Sequence, residues 1–339
     1  MVIIMYRYAI IGFGGLGKLH LGNLVKLEKE RGDIKLCALC GADPESFKSN
    51  VKLNIGNVDI SSIDFSSCGF YQDYKELIDK EKPDFILSTL PTYLHEEVAV
   101  YALSHGVHVF SEKPMALSAE SCRNMIDTAR KNNKTLMIGQ CLRFDTAYRK
   151  IKQYIDEKTF GKVCRAEFTR YSQTPTWTWN NWILDPKMSG GCILDMHIHD
   201  VDLINYLFGL PVSVSSVITE NKVELESVFT RYFYNGFLVT SAADWSFPQS
   251  FPFTARCLIN FEKATVRLCD GKLTVYTDDG EQEVEIDAGD YYMDEIRAFL
   301  GLALDGKACS VTSAESVSES ISLALCEVES AKSGKVIAL

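Results

Sequence analysis

Long apolar runs are missing from this sequence of 339 residues. No stretch approaches the roughly 20 consecutive apolar residues that a membrane-spanning helix needs. The apolar residues 2–5 are too few for a secretory signal peptide and lack its basic leader. We therefore expect neither a membrane partner nor a secretory leader.

An excess of positive charge and a regular cysteine framework are also missing. The formal net charge is −10 and no basic stripe is present, which argues against a nucleic-acid partner. The eleven cysteines are odd in number and irregularly spaced, which favours reduced, mostly buried thiols in a cytoplasmic protein. Cys37 and Cys40 form a C-x-x-C pattern, but residues three apart on a predicted strand face opposite sides, so a metal or redox site is not favoured.

A glycine motif near the amino terminus predicts dinucleotide binding. The apolar residues 8–11 can form one buried strand, and leucines then recur at helical intervals over residues 16–27. Between them lies the G-x-G-x-x-G spacing, which in this strand–turn–helix context favours a pyrophosphate site at the helix N-terminus over a purely structural turn. The residues expected to hold the dinucleotide here are Gly12, Gly14, Gly15, Leu16 and Gly17.

The choice between NAD and NADP stays open in the sequence. A dinucleotide domain often places an acidic residue after its second strand, here residues 34–40, to bind the adenosine ribose. Asp43 is the candidate, but it lies two residues beyond the expected point, where Gly41 stands instead. A turn aspartate before Pro44 is an equally good interpretation of Asp43.

Strands and helices alternate over the first 145 residues, which predicts a doubly wound parallel sheet, a Rossmann domain. Further strands are predicted at 84–90, 107–110 and 135–139, and residues 46–70 at most form a loop with one short helix. Ligands bind beyond the carboxyl ends of such strands. The further cofactor contacts expected at this edge are Leu90, Pro91, His95, Glu112 and Lys113.

From residue 146 to 339 the pattern changes to eight predicted strands, several joined by turns such as Asn235-Gly236 and Asp270-Gly271. This predicts a second α/β domain with a large open, mainly antiparallel sheet, for substrate binding and oligomerisation. The predicted strands are 163–171, 213–220, 224–233, 236–245, 254–260, 264–269, 272–277 and 281–286. Helices are expected at 147–158, 193–208, 293–304 and 314–333.

The segment 190–202, GGCILDMHIHDVD, carries the most ionisable groups. On a helix, Asp195 and His199 share a face, and Asp202 follows one turn later. His197 points almost the opposite way, so a His197–His199 metal pair is not favoured and no metal is expected. The alternative is a helix stabilised by its charges, with His199 as a core histidine.

An aromatic stretch leads directly into this segment. Residues 171–185 include Trp177, Trp179 and Trp182 beside Asn180 and Asn181. Aromatic rings next to amides suit a sugar or cyclic polyol, so we expect Trp182 to contact substrate. The equally weighted alternative is that these tryptophans pack in the core or at a subunit interface.

The sequence resembles the glucose-fructose oxidoreductase / inositol dehydrogenase / rhizopine-catabolism (Gfo/Idh/MocA) oxidoreductase family along its whole length. The resemblance rests on the glycine loop, on 90–95 (LPTYLH), on 106–114 (GVHVFSEKP), on 190–200 and on the tail 315–339. It implies a catalytic lysine at Lys113, an active-site aspartate at Asp195 and an acid/base histidine at His199. Two departures are His197, where family members usually carry glycine, and Gly41, where an acidic residue is common.

These residue types suit hydride transfer between NAD or NADP and a carbinol carbon of a sugar, inositol or related cyclic polyol. A histidine can take the hydroxyl proton, and a lysine can stabilise charge on the oxygen. We therefore expect a cytoplasmic dehydrogenase that forms a homo-dimer or homo-tetramer and binds substrate through Lys113, Asp195, His199 and Trp182. A non-catalytic dinucleotide sensor of the same fold is the alternative.

Overall fold

The computed structural model describes residues 4–42, 51–53, 56–58, 60–61, 63–287 and 289–339. Asp43 and residues 46–50 of the predicted loop lie outside the described residues. Within the described chain, no helix is both long enough and apolar enough to cross a membrane.

The secondary structure alternates between strands and helices in the first 140 residues and is then rich in strands. The strands are β1 (Tyr6–Ile11), β2 (Ile34–Cys40), β3 (Val51–Leu53), β4 (Gly56–Val58), β5 (Gly69–Tyr71), β6 (Phe85–Ser88), β7 (His108–Glu112), β8 (Leu136–Gly139), β9 (Val163–Gln173), β10 (Ser213–Thr219), β11 (Ser227–Tyr234), β12 (Phe237–Phe247), β13 (Thr254–Phe261), β14 (Thr265–Cys269), β15 (Lys272–Thr277), β16 (Gly280–Val284) and β17 (Ile337–Ala338). The α-helices are α1 (Gly15–Arg31), α2 (Tyr74–Glu81), α3 (His95–Ser104), α4 (Ala119–Lys131), α5 (Thr146–Asp156), α6 (Pro186–Ser189), α7 (Ile198–Phe208), α8 (Tyr291–Leu304) and α9 (Ala314–Ser333).

The chain divides into two compact units. The first comprises the described residues up to Ala116, Glu120–Gly139 and Tyr292–Ala314; the second comprises Leu117–Ala119, Gln140–Tyr291 and Glu315–Leu339. Almost all of α8 therefore belongs to the first unit, although it follows the predicted boundary between residues 145 and 146. The physical reason is aromatic packing, because the Phe299 ring centroid of α8 lies 5.8 Å from that of Phe85 and 5.7 Å from that of Phe110.

A six-stranded parallel sheet forms the centre of the first unit. Its strand order is β5-β2-β1-β6-β7-β8, the order 3-2-1-4-5-6 of a doubly wound dinucleotide-binding sheet. All four residues of β6 and the last four of β1 are buried, as expected of parallel strands covered on both faces. The predicted Rossmann architecture is confirmed.

Two features of residues 51–71 differ from the predicted loop with one short helix. The strands β3 and β4 pair as an antiparallel hairpin, and β5 pairs with β2 in parallel at the edge of the sheet. Each of these strands has only three residues, too few for an alternating apolar pattern to appear in the sequence.

The second unit contains a nine-stranded sheet in the order β16-β15-β14-β13-β9-β12-β11-β10-β17. All pairs are antiparallel except β12 with β9. Burial alternates along β13, where Cys257 and Ile259 are buried and Leu258 is exposed. One face of the sheet is thus packed and the other open, as predicted.

Candidate active site

The glycine loop at the carboxyl end of β1 has the close approaches that its spacing predicts. Gly12 has φ +92°, and a Cβ there would lie 2.7 Å from the carbonyl carbon of Thr89. A Cβ on Gly17 would lie 2.3 Å from the carbonyl oxygen of Gly12. At Gly14, by contrast, a Cβ would meet nothing within 4 Å. The first and third glycines therefore permit tight packing, and the second leaves open space beside the backbone.

The start of α1 fits a negatively charged ligand. Gly14 is the N-cap residue, no side chain caps the helix, and its first turn contains no acidic residue. The first N–H groups of a helix lack partners within the helix and lie at the positive end of its dipole. The open space at Gly14 and these N–H groups together fit the pyrophosphate of a dinucleotide. The residues that would hold it are Gly12, Gly14, Gly15, Leu16 and Gly17.

His95 links the two loops that follow β6 and β7. Its Nδ1 lies 2.7 Å from the carbonyl oxygen of Pro114, and its Nε2 lies 2.8 Å from that of Leu90. Burial lowers the pKa of His95, and the two carbonyl contacts oppose that shift. Both ring nitrogens face backbone atoms of the protein, so His95 fixes the loops that carry Leu90, Pro91 and Lys113. Its predicted contact with a cofactor stays a prediction.

Glu112 is also engaged inside the protein. Its Oε1 lies 2.6 Å from Nε2 of buried His20, and its Oε2 accepts the backbone N–H of Lys113 at 3.3 Å. Burial opposes ionisation of Glu112, but the bond from His20 and the charges of His20 and Lys113 outweigh it, so the pKa of Glu112 lies below its ordinary value. Lys113 itself is half-buried. The roles of Glu112 and Lys113 toward cofactor and substrate stay predictions.

In the second unit, burial separates the ionisable residues of the segment 190–202 into two groups. From 191 to 205, Asp195 and His199 alone are not buried. They lie four positions apart at the start of the predicted helix 193–208. This helix begins with a π-helical turn, Ile193–His197, before α7. Such turns occur frequently at functional sites.

Asp200 and Asp202 of the segment form buried ion pairs with arginines, and His197 has a buried contact with a carboxylate. Arg170 donates from Nε and Nη2 to Asp200 at 3.0 and 2.8 Å. Arg143 does the same to Asp202, at 2.7 Å for both contacts. His197 Nε2 lies 2.9 Å from Oε2 of Glu327. These pairs hold the segment in place, so Asp202 has a structural role, and Asp195 and His199 are the side chains presented at its surface.

The tryptophan stretch is connected to this segment by Ser189. The Ser189 hydroxyl donates to the carbonyl oxygen of Ile183 at 2.7 Å and accepts the N–H of Gly191 at 2.9 Å. Trp179 is 68% exposed, and Trp182 is half-buried. Ser189 thus ties the stretch that carries the exposed Trp179 indole to the segment that carries Asp195 and His199. This arrangement fits one wall of a substrate pocket. Contact of Trp182 with substrate stays a prediction.

Two family models match almost contiguous parts of the sequence. The model of an oxidoreductase family with an NAD-binding Rossmann fold, GFO_IDH_MocA, matches residues 6–140, and the model of the GFO/IDH/MocA C-terminal domain matches residues 148–267. The chain belongs to the GFO/IDH/MocA oxidoreductase family. The first unit of this family member therefore contains an NAD-binding Rossmann domain, which confirms the predicted class of cofactor.

Relatives of this GFO/IDH/MocA protein include a hydratase and an inositol dehydrogenase. It is 30% identical to the 2,7-anhydro-N-acetylneuraminate hydratase of Mediterraneibacter gnavus, over 60% of this chain and 49% of that protein. It is 29% identical to the myo-inositol 2-dehydrogenase of Thermotoga maritima, over 60% of this chain and 55% of that protein. The aligned part of the chain thus spans about half the length of these curated relatives.

Among solved structures, the fold is similar to that of levoglucosan dehydrogenase in complex with NADH. The TM-score is 0.83, with 19% sequence identity over 98% of both chains. At this identity the likeness establishes the common fold.

Several residues that organise the GFO/IDH/MocA site were not predicted. Arg143, Arg170 and Glu327 lie far along the chain from the residues they pair with, and His20 and Glu295 share a buried cluster with Glu112. Side chains alternate between buried and less buried positions along β9, and Arg170 occupies a buried position. A charged residue on the buried face of a predicted strand was the one available sign that a buried partner exists. No sequence pattern indicated the buried contacts of the other four residues, Arg143, Glu327, His20 and Glu295.

Proposed function

We propose that this protein is an NAD(P)-dependent dehydrogenase that oxidises a secondary hydroxyl of a sugar, an inositol or a related cyclic polyol. The observation that carries the proposal is the burial pattern of the segment 190–202. Asp200 and Asp202 are buried in ion pairs with arginines and His197 is buried against Glu327, whereas Asp195 and His199 keep access to solvent. Similarity to a myo-inositol 2-dehydrogenase supports the class of substrate.

The three predicted catalytic residues have complementary tasks. When bound, the nicotinamide would supply the acceptor for the hydride that leaves the carbinol carbon. His199 takes the hydroxyl proton, because an imidazole with an ordinary pKa of roughly 6.5 exchanges protons readily near neutral pH. Lys113 donates a hydrogen bond to the substrate oxygen and stabilises negative charge developing on it. Asp195 holds the substrate in register and favours the charged forms of its neighbours.

The test is a panel of substrates read by the absorbance of NADH or NADPH. The panel contains myo-inositol, scyllo-inositol, glucose, levoglucosan and 2,7-anhydro-N-acetylneuraminate, each with NAD+ and with NADP+. We expect turnover of at least one polyol or sugar, and we expect His199→Ala to lower kcat by a factor on the order of 10²–10⁴. His105→Ala on the exposed end of α3 is the control. NADH binding without turnover of any compound would favour a dinucleotide sensor instead.

The same proposal includes self-association. On the open face of the large sheet, Val217 of β10 pairs directly with Phe229 of β11, and these side chains are 61% and 47% exposed. Apolar side chains side by side on an uncovered sheet favour a covered state, so we propose a homo-dimer or homo-tetramer. Light scattering that gives the mass of a monomer would contradict this part of the proposal.

We also propose a cytoplasmic location with neither membrane nor nucleic-acid partners. Burial raises the pKa of the Cys37 thiol to about 11 and that of the Cys40 thiol to about 12. Such thiols stay protonated and unreactive.

A further inference from the structure

Three side chains from distant parts of the sequence form one buried cluster in the first unit. They are His20 of α1, Glu112 at the end of β7 and Glu295 of α8, and each offers a donor atom within 4.8 Å of the others. His20 and Glu295 are fully buried, and Glu112 is almost so. His20 also packs edge-on against Phe110, with ring centroids 5.4 Å apart. Ionisable groups held this far from water need hydrogen-bond or charge partners.

The distance between His20 and Glu112 is that of a hydrogen bond rather than of two ligands on one metal ion. Metal–ligand distances of about 2.0–2.2 Å separate neighbouring donor atoms by roughly 3 Å or more. His20 Nε2 and Glu112 Oε1 are 2.6 Å apart, which matches a charge-assisted hydrogen bond. A proton therefore joins the imidazole and the carboxylate.

The second oxygen of Glu112 connects this hydrogen bond to Lys113. Glu112 Oε2 accepts the backbone N–H of Lys113 at 3.3 Å, so His20 and the main chain of Lys113 hold opposite ends of one carboxylate. His20 lies on α1, the helix that begins at the glycine loop. The carboxylate thus joins the dinucleotide-binding helix to the residue expected to contact the substrate oxygen.

We propose that His20 is a positioning residue that acts through Glu112 to hold Lys113 in its productive orientation beside the cofactor. His20 touches neither substrate nor reacting atoms in this proposal, which rests on the catalytic role of Lys113 in the proposed function. Its effect is on turnover, because displacing a catalytic group by about 1 Å can lower the rate up to 10²-fold.

The experiment compares His20→Leu, which removes the ring N–H, with His20→Gln, which can donate a hydrogen bond to Glu112. We expect His20→Leu to lower kcat by roughly 10- to 100-fold while the NADH dissociation constant changes less than threefold. We expect His20→Gln to restore part of the loss. In a double-mutant cycle with Glu112→Gln, the double variant should be no slower than the slower single variant, because both changes break one linkage.

A merely structural role gives a different pattern. In one such pattern, the melting temperature of His20→Leu falls while kcat per folded molecule stays unchanged. In another, kcat falls in both single variants and the two effects multiply in the double variant, as expected of independent positions. Either result would overturn the proposal. A rise in the wild-type melting temperature with Zn2+ or Mn2+ that His20→Leu abolishes would also overturn it in favour of a metal site. If His20→Leu does not fold, His20→Gln and Glu112→Gln carry the same comparison.

A second readout separates this proposal from failure of the proposed function. Acetic anhydride labelling of the NADH-bound protein, read by mass spectrometry, reports the environment of the Lys113 amine without any substrate. We expect His20→Leu to change the labelling rate of Lys113 by several-fold relative to exposed Lys131. If no panel compound turns over, the proposed function fails while this readout still tests His20; an unchanged Lys113 rate would overturn the positioning role.

Discussion

The Nε2 atom of His197 lies 2.9 Å from Oε2 of Glu327, and both side chains are completely buried. The Tyr232 hydroxyl donates to the other carboxylate oxygen at 2.7 Å, and the Thr230 hydroxyl donates to Oε2 at 3.0 Å. One carboxylate of α9 thus holds the π-helical turn and two side chains of β11. His197 stands next but one to His199, so this network fixes the backbone from which His199 projects.

Loss of the Glu327 carboxylate should destabilise the protein strongly. We expect Glu327→Ala to lower the free energy of unfolding by about 3–5 kcal/mol, because removing one partner leaves buried polar groups unsatisfied. Urea denaturation followed by circular dichroism measures the change. Glu329→Ala, an exposed position on the same helix, is the matched control. Equal losses at the two positions would show that the buried network is not the cause.

Two glycines of the dinucleotide loop should respond differently to the same substitution. We expect Gly17→Ala to cost about 1–3 kcal/mol of stability, because its methyl group would overlap the carbonyl oxygen of Gly12. We expect Gly14→Ala to fold normally, since no atom lies within 4 Å of the new methyl group. That methyl group would instead occupy the space for the pyrophosphate and weaken NADH binding roughly tenfold or more, equivalent to about 1.4 kcal/mol.

Thermal unfolding and titration of NADH fluorescence distinguish the two effects. The interpretation of the loop requires a stability loss at Gly17 and an affinity loss at Gly14. Unchanged NADH affinity in Gly14→Ala would place the phosphates elsewhere and remove this loop from the cofactor site.

His108 on β7 should make stability depend on pH in the acidic range. Its Nδ1 accepts the backbone N–H of Thr135 at 3.0 Å, which only an unprotonated nitrogen can do. Burial, and then the charge of Lys134, lower the pKa of His108 to about 4. The unfolded chain protonates this histidine near pH 6.5, so between these values the unfolded state binds more protons. Stability is therefore fully present above about pH 6.5 and falls as the pH decreases toward 4.

The size of this effect is moderated by the partial exposure of His108. We expect about 1–2 kcal/mol to be lost across the window. His108→Asn, which keeps an acceptor without a titrating ring, should flatten the dependence in urea titrations at pH 4.5, 5.5 and 7. Lys131→Gln on the exposed face of α4 is the control. A wild-type stability that stays constant from pH 7 to 4.5 would contradict the assignment.

Local patterns predicted most of the fold. Short strand-like segments joined by turns such as Asn235-Gly236 and Asp270-Gly271 predicted the antiparallel sheet, because strand patterns and turn chemistry are properties of neighbouring residues. The three-residue strand β5 was not predicted. It is a strand because it pairs with β2, and its own residues carry no strand pattern.

Distant pairings explain what the sequence did not reveal about the candidate site. Asp195, His199 and Asp202 were predicted to follow one another along a helix, but the sequence does not distinguish them from one another. Arg143 lies 59 residues from Asp202 in the sequence. Its contact buries Asp202, which therefore is not accessible in the way that Asp195 and His199 are. Equally, Phe299 places α8 in the first unit through contacts that no local periodicity encodes.

The exposed tryptophans offer a test that separates substrate recognition from self-association. Trp177 and Trp179 are 55% and 68% exposed, and two neighbouring residues, Asn180 and Asn181, both have φ of 52°. A loop that keeps two indoles at the surface fits either a wall for the apolar face of a sugar or a contact with another subunit. Stacking of one indole contributes about 0.5–1.5 kcal/mol beyond its buried area.

If the loop forms a wall of the substrate pocket, Trp179→Ala should raise the KM for the polyol by roughly 3- to 10-fold. The NADH dissociation constant and the mass by light scattering should stay unchanged. Phe229→Ser, on the open face of the large sheet, is the matched contrast, because it should lower the mass while the KM of the protein that remains associated is preserved. A Trp179→Ala variant that dissociates with an unaltered KM would assign the loop to the subunit interface, since an indole cannot be buried against a neighbouring subunit and still stack on a substrate.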